Sequence, residues 1–217
     1  MPMAWIRSPW LYLPVAAVVI LALVAWWFVR HRRSGDTPSR TSPLAGTTGR
    51  GGALAYAEVV VVGRPRAVPT AEEVAAAETS LGTRFPTGYA AFVTRFGEGE
   101  LAGDLRIYTP QQILSGSNSV DAWRERIEEH WFWDEDGEVL TQQQALACII
   151  VGDTLGGDEL IFHPDAPDRI LVLAHDDDSI HVVEGGLAAA IEWVCTSGVL
   201  VEPIDDREFV PSKPPRK

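Results

Sequence analysis

The sequence predicts an α+β domain, built as an antiparallel sheet with helices packed on one side and preceded by a single transmembrane helix. Three observations lead there. Residues 10–29 form one uncharged, apolar run of 20 residues. Residues 70–131 place apolar side chains at helical spacing, whereas residues 148–183 switch to short apolar runs separated by turns of four or five residues. One more amphipathic stretch, Leu187 to Cys195, follows the strands. Helices, then a run of strands, then a helix is an α+β order rather than an alternating βαβ one.

The elements follow in chain order. Residues 1–9 are a short flank. Trp10–Val29, WLYLPVAAVVILALVAWWFV, has no charge, and a helix of that length rises about 30 Å, the thickness of a bilayer's hydrocarbon core. Trp10 and Tyr12 at one end and Trp26, Trp27 and Phe28 at the other match the aromatic belts of a spanning helix. The basic cluster Arg30-His31-Arg32-Arg33 follows the apolar run, whereas a signal peptide carries its charge before it. The excess of arginine on that flank predicts an N-terminus outside and a cytoplasmic body in the cell membrane. Residues 30–52 are a linker, basic and then rich in small polar residues. Of the 19 residues in Ser34–Gly52, 14 are Gly, Ser, Thr or Pro, too few apolar groups to order the segment.

Residues 53–204 read as the folded domain and 205–217 as a C-terminal tail. Tyr56–Val62 is β-branched and reads as a strand. Thr70-Ala-Glu-Glu73 is a capping box, after which Val74, Ala77 and Leu81 share a helical face and Gly82 ends the helix. Pro86 starts a second helix whose apolar stripe is Tyr89, Phe92, Val93 and Phe96, closed by Gly97. Leu105–Tyr108 reads as a strand, and Thr109-Pro-Gln-Gln112 as a short capped turn of helix. Val120, Trp123, Ile127 and Trp131 mark another helix, and Thr141-Gln-Gln-Gln144 a brief one. Four strands are expected at Cys148–Gly152, Glu159–His163, Arg169–His175 and Ile180–Val183, joined as antiparallel hairpins. Val199–Val201 reads as an added edge strand, and Pro211–Lys217 as a frayed end.

Charge is divided unevenly. Residues 1–50 hold six arginines and one acid, whereas the remainder holds 12 basic and 29 acidic residues. So acidic a body argues against nucleic-acid binding. Its field attracts cationic partners and speeds their encounter.

The run LGTRFPTGYAAFVTRFGEG (Leu81–Gly99), with Leu81, Gly82, Phe85, Pro86, Tyr89 and Phe92, resembles the opening signature of the SUKH superfamily, the Smi/Knr-type proteins. LRIYTPQQIL (Leu105–Leu114) resembles the family's second landmark, and VGDTLGGDELIFHPDAPDRILVLAHDD (Val151–Asp177) its central hairpins. The resemblance spans about residues 70–197. It implies a SUKH-like fold and a non-enzymatic binding module. Many bacterial relatives are immunity proteins that neutralise polymorphic toxins, often nucleases, and fungal relatives act in cell-wall signalling. The anchor and the long segment at 115–140 depart from the minimal family pattern.

The expected function is therefore a membrane-anchored module that neutralises a basic toxin domain through an acidic surface. The alternative is a membrane-associated regulatory scaffold for a cell-envelope or signalling protein. A third reading, a metal-dependent enzyme, draws on the acids at 153–159 and 175–178.

Candidate contact residues are Trp131, Trp133, Asp134, Glu135 and Asp136, where aromatic rings stand beside acids as at interface hot spots. To these are added Asp153, Asp158, Glu159, Asp176, Asp177 and Asp178 in the hairpin turns. No catalytic residue, metal ligand or cofactor is assigned, because no HExxH, EF-hand or phosphate-loop spacing is present. Cys148 and Cys195 lie in apolar runs and are expected to be buried, reduced thiols.

Overall fold

A computed structural model describes residues 56–128 and 137–213. The predicted span 10–29, its flank and the linker lie outside them. Among the described residues no helix is long and apolar enough to cross a membrane.

The elements are β1 (Val60–Val61), α1 (Ala71–Leu81), α2 (Tyr89–Phe96), β2 (Gly99–Leu101), β3 (Leu105–Ile107), α3 (Pro110–Leu114), α4 (Val120–Ile127), α5 (Gln142–Ala147), β4 (Ile149–Thr154), β5 (Glu159–Phe162), β6 (Arg169–Ala174), β7 (Ser179–Glu184), α6 (Leu187–Thr196) and β8 (Glu208–Pro211). The strands form one sheet in the order β1-β8-β2-β3-β4-β5-β6-β7. Pairing is antiparallel from β8 through β7, and β1 joins β8 in parallel.

Local chemistry sets the helix starts. Thr70, Thr109 and Thr141 each form a capping box with the Glu or Gln three residues on, which satisfies two otherwise orphan N–H groups. The second helix begins later than Pro86. Gly88 sits at φ +92°, a conformation no helix continues through, so α2 starts at Tyr89. The expected stripe Tyr89, Phe92, Val93 and Phe96 is fully buried.

The ladder shows which side chains share a face. Leu160, Phe162, Ile170, Val172 and Val183 line one side. There Phe162 meets Phe85, and the Trp193 ring of α6 lies 5.1 Å from His181. Ile161, Leu171, Leu173 and Glu159 line the opposite side and are also buried, with α4 packed there through Trp123. Helices therefore cover both faces, which corrects the expectation of helices on one side. The cause is in the strands: Leu160–Phe162 and Ile170–Leu173 are apolar at every position, and burying such runs requires cover on both sides.

The end strands also differ from expectation. Only Val60–Val61 of the run 56–62 is a strand. Tyr56 instead turns inward, its ring 5.2 Å from Phe92 and 6.2 Å from Phe96, while Arg95 donates to its carbonyl oxygen at 2.7 Å. Phe209 completes this aromatic cluster, 5.2 Å from Phe96, and each such pair adds about 0.5–1.5 kcal/mol beyond area burial. Phe209 lies in β8, so residues 208–211 belong to the sheet and not to a tail. Val199–Val201 is not a strand, because Ile204 N–H bonds the Cys195 carbonyl at 2.7 Å and folds the segment back onto the end of α6.

Candidate functional site

The hairpin acids separate into two groups. Asp153, Asp158 and Glu159 are occupied within the fold. Asp153 accepts from Arg106 through both Nε, at 2.7 Å, and a terminal nitrogen. Asp153 also hydrogen-bonds Tyr108, and burial first, then this carboxylate, pushes the Tyr108 phenol well above its ordinary value. Asp158 closes the β4–β5 turn. One oxygen accepts from Thr154 Oγ1 at 2.7 Å and the other from His175 N–H at 2.9 Å, which ties two neighbouring hairpins together. Glu159 is 7% exposed and accepts from Trp123 Nε1 at 2.7 Å and from Arg126 at 3.2 Å. Asp153 and Glu159 are register partners on one face, each neutralised by its own arginine. A partner protein would have to break these pairs to engage either carboxylate.

Asp176 and Asp177 are exposed and Asp178 half-buried, at the tip of the β6–β7 hairpin. Asp177 Oδ1 accepts from Ser179 N–H at 3.2 Å and Ser179 Oγ at 2.6 Å, and the Ser179 hydroxyl also meets His181 Nε2 at 2.9 Å. Asp178 takes φ +56°, which a short polar side chain tolerates. These bonds shape the turn and leave the outer carboxylate oxygens facing water.

Topology sets further acids along the same end of the sheet. The β2–β3 turn, containing Asp104, lies against the β4–β5 turn, since Leu155 N–H bonds Asp104 at 3.0 Å. β8 runs antiparallel to β2, which brings the preceding Asp205 and Asp206, both exposed, to this end as well. Arg207 between them and the strand turns inward to Glu192 at 3.2 Å. From β8 to β6 is five strand spacings, or about 24 Å. The result is a rim of aspartates with Leu155, 54% exposed, near its middle. Asp205 and Asp206 are not among the sequence-derived candidates, because residues 205–217 read there as a tail. Glu208–Pro211, EFVP, does not alternate and carries no strand signal that could have found them.

Trp131, Trp133, Asp134, Glu135 and Asp136 lie outside the described residues. Among the described residues no three His, Cys, Asp or Glu side chains converge into a cation site. Cys148 and Cys195 are free and buried. Burial pushes the Cys148 thiol up to about 12 against the opposing field of Arg124, and burial raises Cys195 too.

The chain belongs to the SMI1 / KNR4 family (SUKH-1), whose model matches residues 69–192. The matched span opens at the cap of α1 and ends inside α6, so β1 and β8 flank it. No curated protein and no solved structure matched the chain.

Proposed function

We propose that this chain is a membrane-anchored, non-enzymatic protein-binding module of the immunity type. Residues 10–29 anchor it in the cell membrane with the N-terminus outside. The folded domain faces the cytoplasm and neutralises a basic toxin domain. Family membership, which is consistent with an immunity-like binding module, supports the class. The aspartate rim at Asp176–Asp178, Asp205 and Asp206 is the observation that carries the electrostatic part. Carboxylates facing water along a 24 Å edge attract a cationic surface at long range, and many nuclease domains are cationic because they hold phosphates. Exposed Leu155 supplies an apolar contact within the rim.

The test is a pull-down with the product of the neighbouring gene, followed by stopped-flow association at several salt concentrations. The expected result is an association rate that falls steeply with ionic strength and flattens when Asp176, Asp177 and Asp178 are changed to Asn. Association that ignores both salt and these substitutions contradicts the electrostatic reading. Hydrolytic activity of the purified chain that survives removal of every co-purifying protein contradicts the non-enzymatic one.

A further inference from the structure

A second surface, away from the rim, has its own chemistry. A groove of about 500 Å³ runs between α1 and α3 under the 67–69 loop, floored by Ala76, Ala77 and Pro110 and walled by Val68 and Leu114. Ser80 and Leu114 also border a second hollow of about 300 Å³, lined by Ile113, Val120, Asp121 and Arg124. Val68 and Leu114 are 40% and 45% exposed, so the groove is an open trough. A small molecule that binds tightly buries most of its surface in a closed pocket, whereas an open apolar trough suits the apolar face of a helix.

Arg124 stands at the far end of the groove, its side chain 39% exposed. Arg84, Arg106, Arg126, Arg169 and Arg207 each pair with a carboxylate. Arg124 reaches only Asp121, at 3.6 Å, and that carboxylate is 93% exposed. Its Nε is buried and has no hydrogen-bond partner. The exposed part of this guanidinium is its terminal nitrogens, which an arriving carboxylate can meet end-on in a forked geometry.

We propose that this trough docks a short amphipathic helix of a partner protein. Its apolar stripe would lie along α1, and an acidic residue at the end of the stripe would bond Arg124. The floor from Glu73 to Leu81 is about 12 Å long, or two turns of such a helix. This surface is separate from the aspartate rim and favours a segment of opposite charge at its end, so the two readings fail independently.

The probe is a fluorescein-labelled peptide of about 14 residues with leucines at i, i+3, i+4 and i+7 and a glutamate closing the stripe. A companion peptide carries lysine there. Both are titrated by anisotropy against the full chain in lipid nanodiscs. The glutamate peptide is expected to bind more tightly than the lysine peptide. Arg124→Gln should weaken it about tenfold and erase the preference, Arg124→Lys should restore part of it, and Leu114→Lys should abolish binding. Both positions are partly exposed, and an unchanged thermal melt verifies each fold. The proposal is overturned if neither peptide binds by about 1 mM, or if Arg124→Gln leaves the preference intact. It is also overturned if sedimentation shows self-association that Leu114→Lys disperses, because the occupant is then a second copy.

Discussion

Glu159 gives the sharpest test of the division between structural and surface acids. In Glu159→Ala, the Trp123 indole N–H loses its acceptor while remaining wholly inaccessible to water. An orphaned buried donor costs about 1–3 kcal/mol. The one side-chain methylene lost from a 7% exposed residue removes up to about 0.8 kcal/mol more. Arg126 is 44% exposed and rehydrates, so its loss is worth under about 1 kcal/mol. Relief of the carboxylate's own desolvation runs the other way. The net expectation is a loss of about 2–4 kcal/mol, which corresponds to a Tm roughly 5–15 °C lower for a domain of this size. Glu159→Gln keeps an acceptor for the indole and should lose about 1 kcal/mol or less. The assay is urea unfolding at constant temperature, with a double-mutant cycle against Trp123→Phe. A coupling energy of about 1.5–3 kcal/mol is expected for a hydrogen bond to a charged acceptor. If Glu159→Ala melts within about 0.5 kcal/mol of the parent, or the cycle shows no coupling, Glu159 is not held as described and returns to the list of available surface acids.

Other expectations can be checked in the same way. Asp176→Asn, Asp177→Asn and Asp178→Asn together should leave stability within about 0.5 kcal/mol by urea melting, because the acceptor used by Ser179 survives in Asn. Gly97→Ala should cost at least about 2–3 kcal/mol in the same assay, since Gly97 sits at φ +67° and a Cβ there would clash with the Arg66 carbonyl oxygen. Partial burial tends to raise the Asp168 pKa, but the Arg84 guanidinium and the Thr87 N–H outweigh it and hold the carboxyl below the usual range. A depressed folded pKa means stability present above the unfolded value of about 4 and lost as the pH falls through the folded one. The gap between parent and Asp168→Asn, about 1 kcal/mol for so exposed a site, should therefore be full near neutrality and vanish in strong acid. Neither Cys148 nor Cys195 should react with iodoacetamide at about pH 8 in the folded chain, and both should react in denaturant, as mass spectrometry would show.

Much of the fold was legible because it rests on local chemistry. The three capping boxes, the Tyr89–Phe96 stripe and the hairpins from β4 to β7 are written in residues one to four positions apart, where sequence patterns act. What escaped depends on pairing at a distance. β8 exists because Phe209 seats beside Phe96 across more than 100 positions of chain, and its four residues carry too little pattern to announce it. The second covered face is readable in the sequence, since strands apolar at every position cannot leave a side open to water.

The acids mark the boundary most clearly. Asp158 and Asp177 look alike in sequence, each in a turn beside small polar residues. What separates them lies across the sheet. His175 N–H and Thr154 Oγ1 take both oxygens of Asp158, whereas Asp177 bonds only its own turn. A turn carboxylate with partners from another hairpin is a fastener, and one with partners only from its own turn stays available to the solvent and to whatever arrives through it. By that criterion the acids of the proposed contact surface are Asp176–Asp178 and Asp205–Asp206 rather than Asp153, Asp158 and Glu159. Substitutions at Asp158 should therefore act on melting, and substitutions at Asp176 on association.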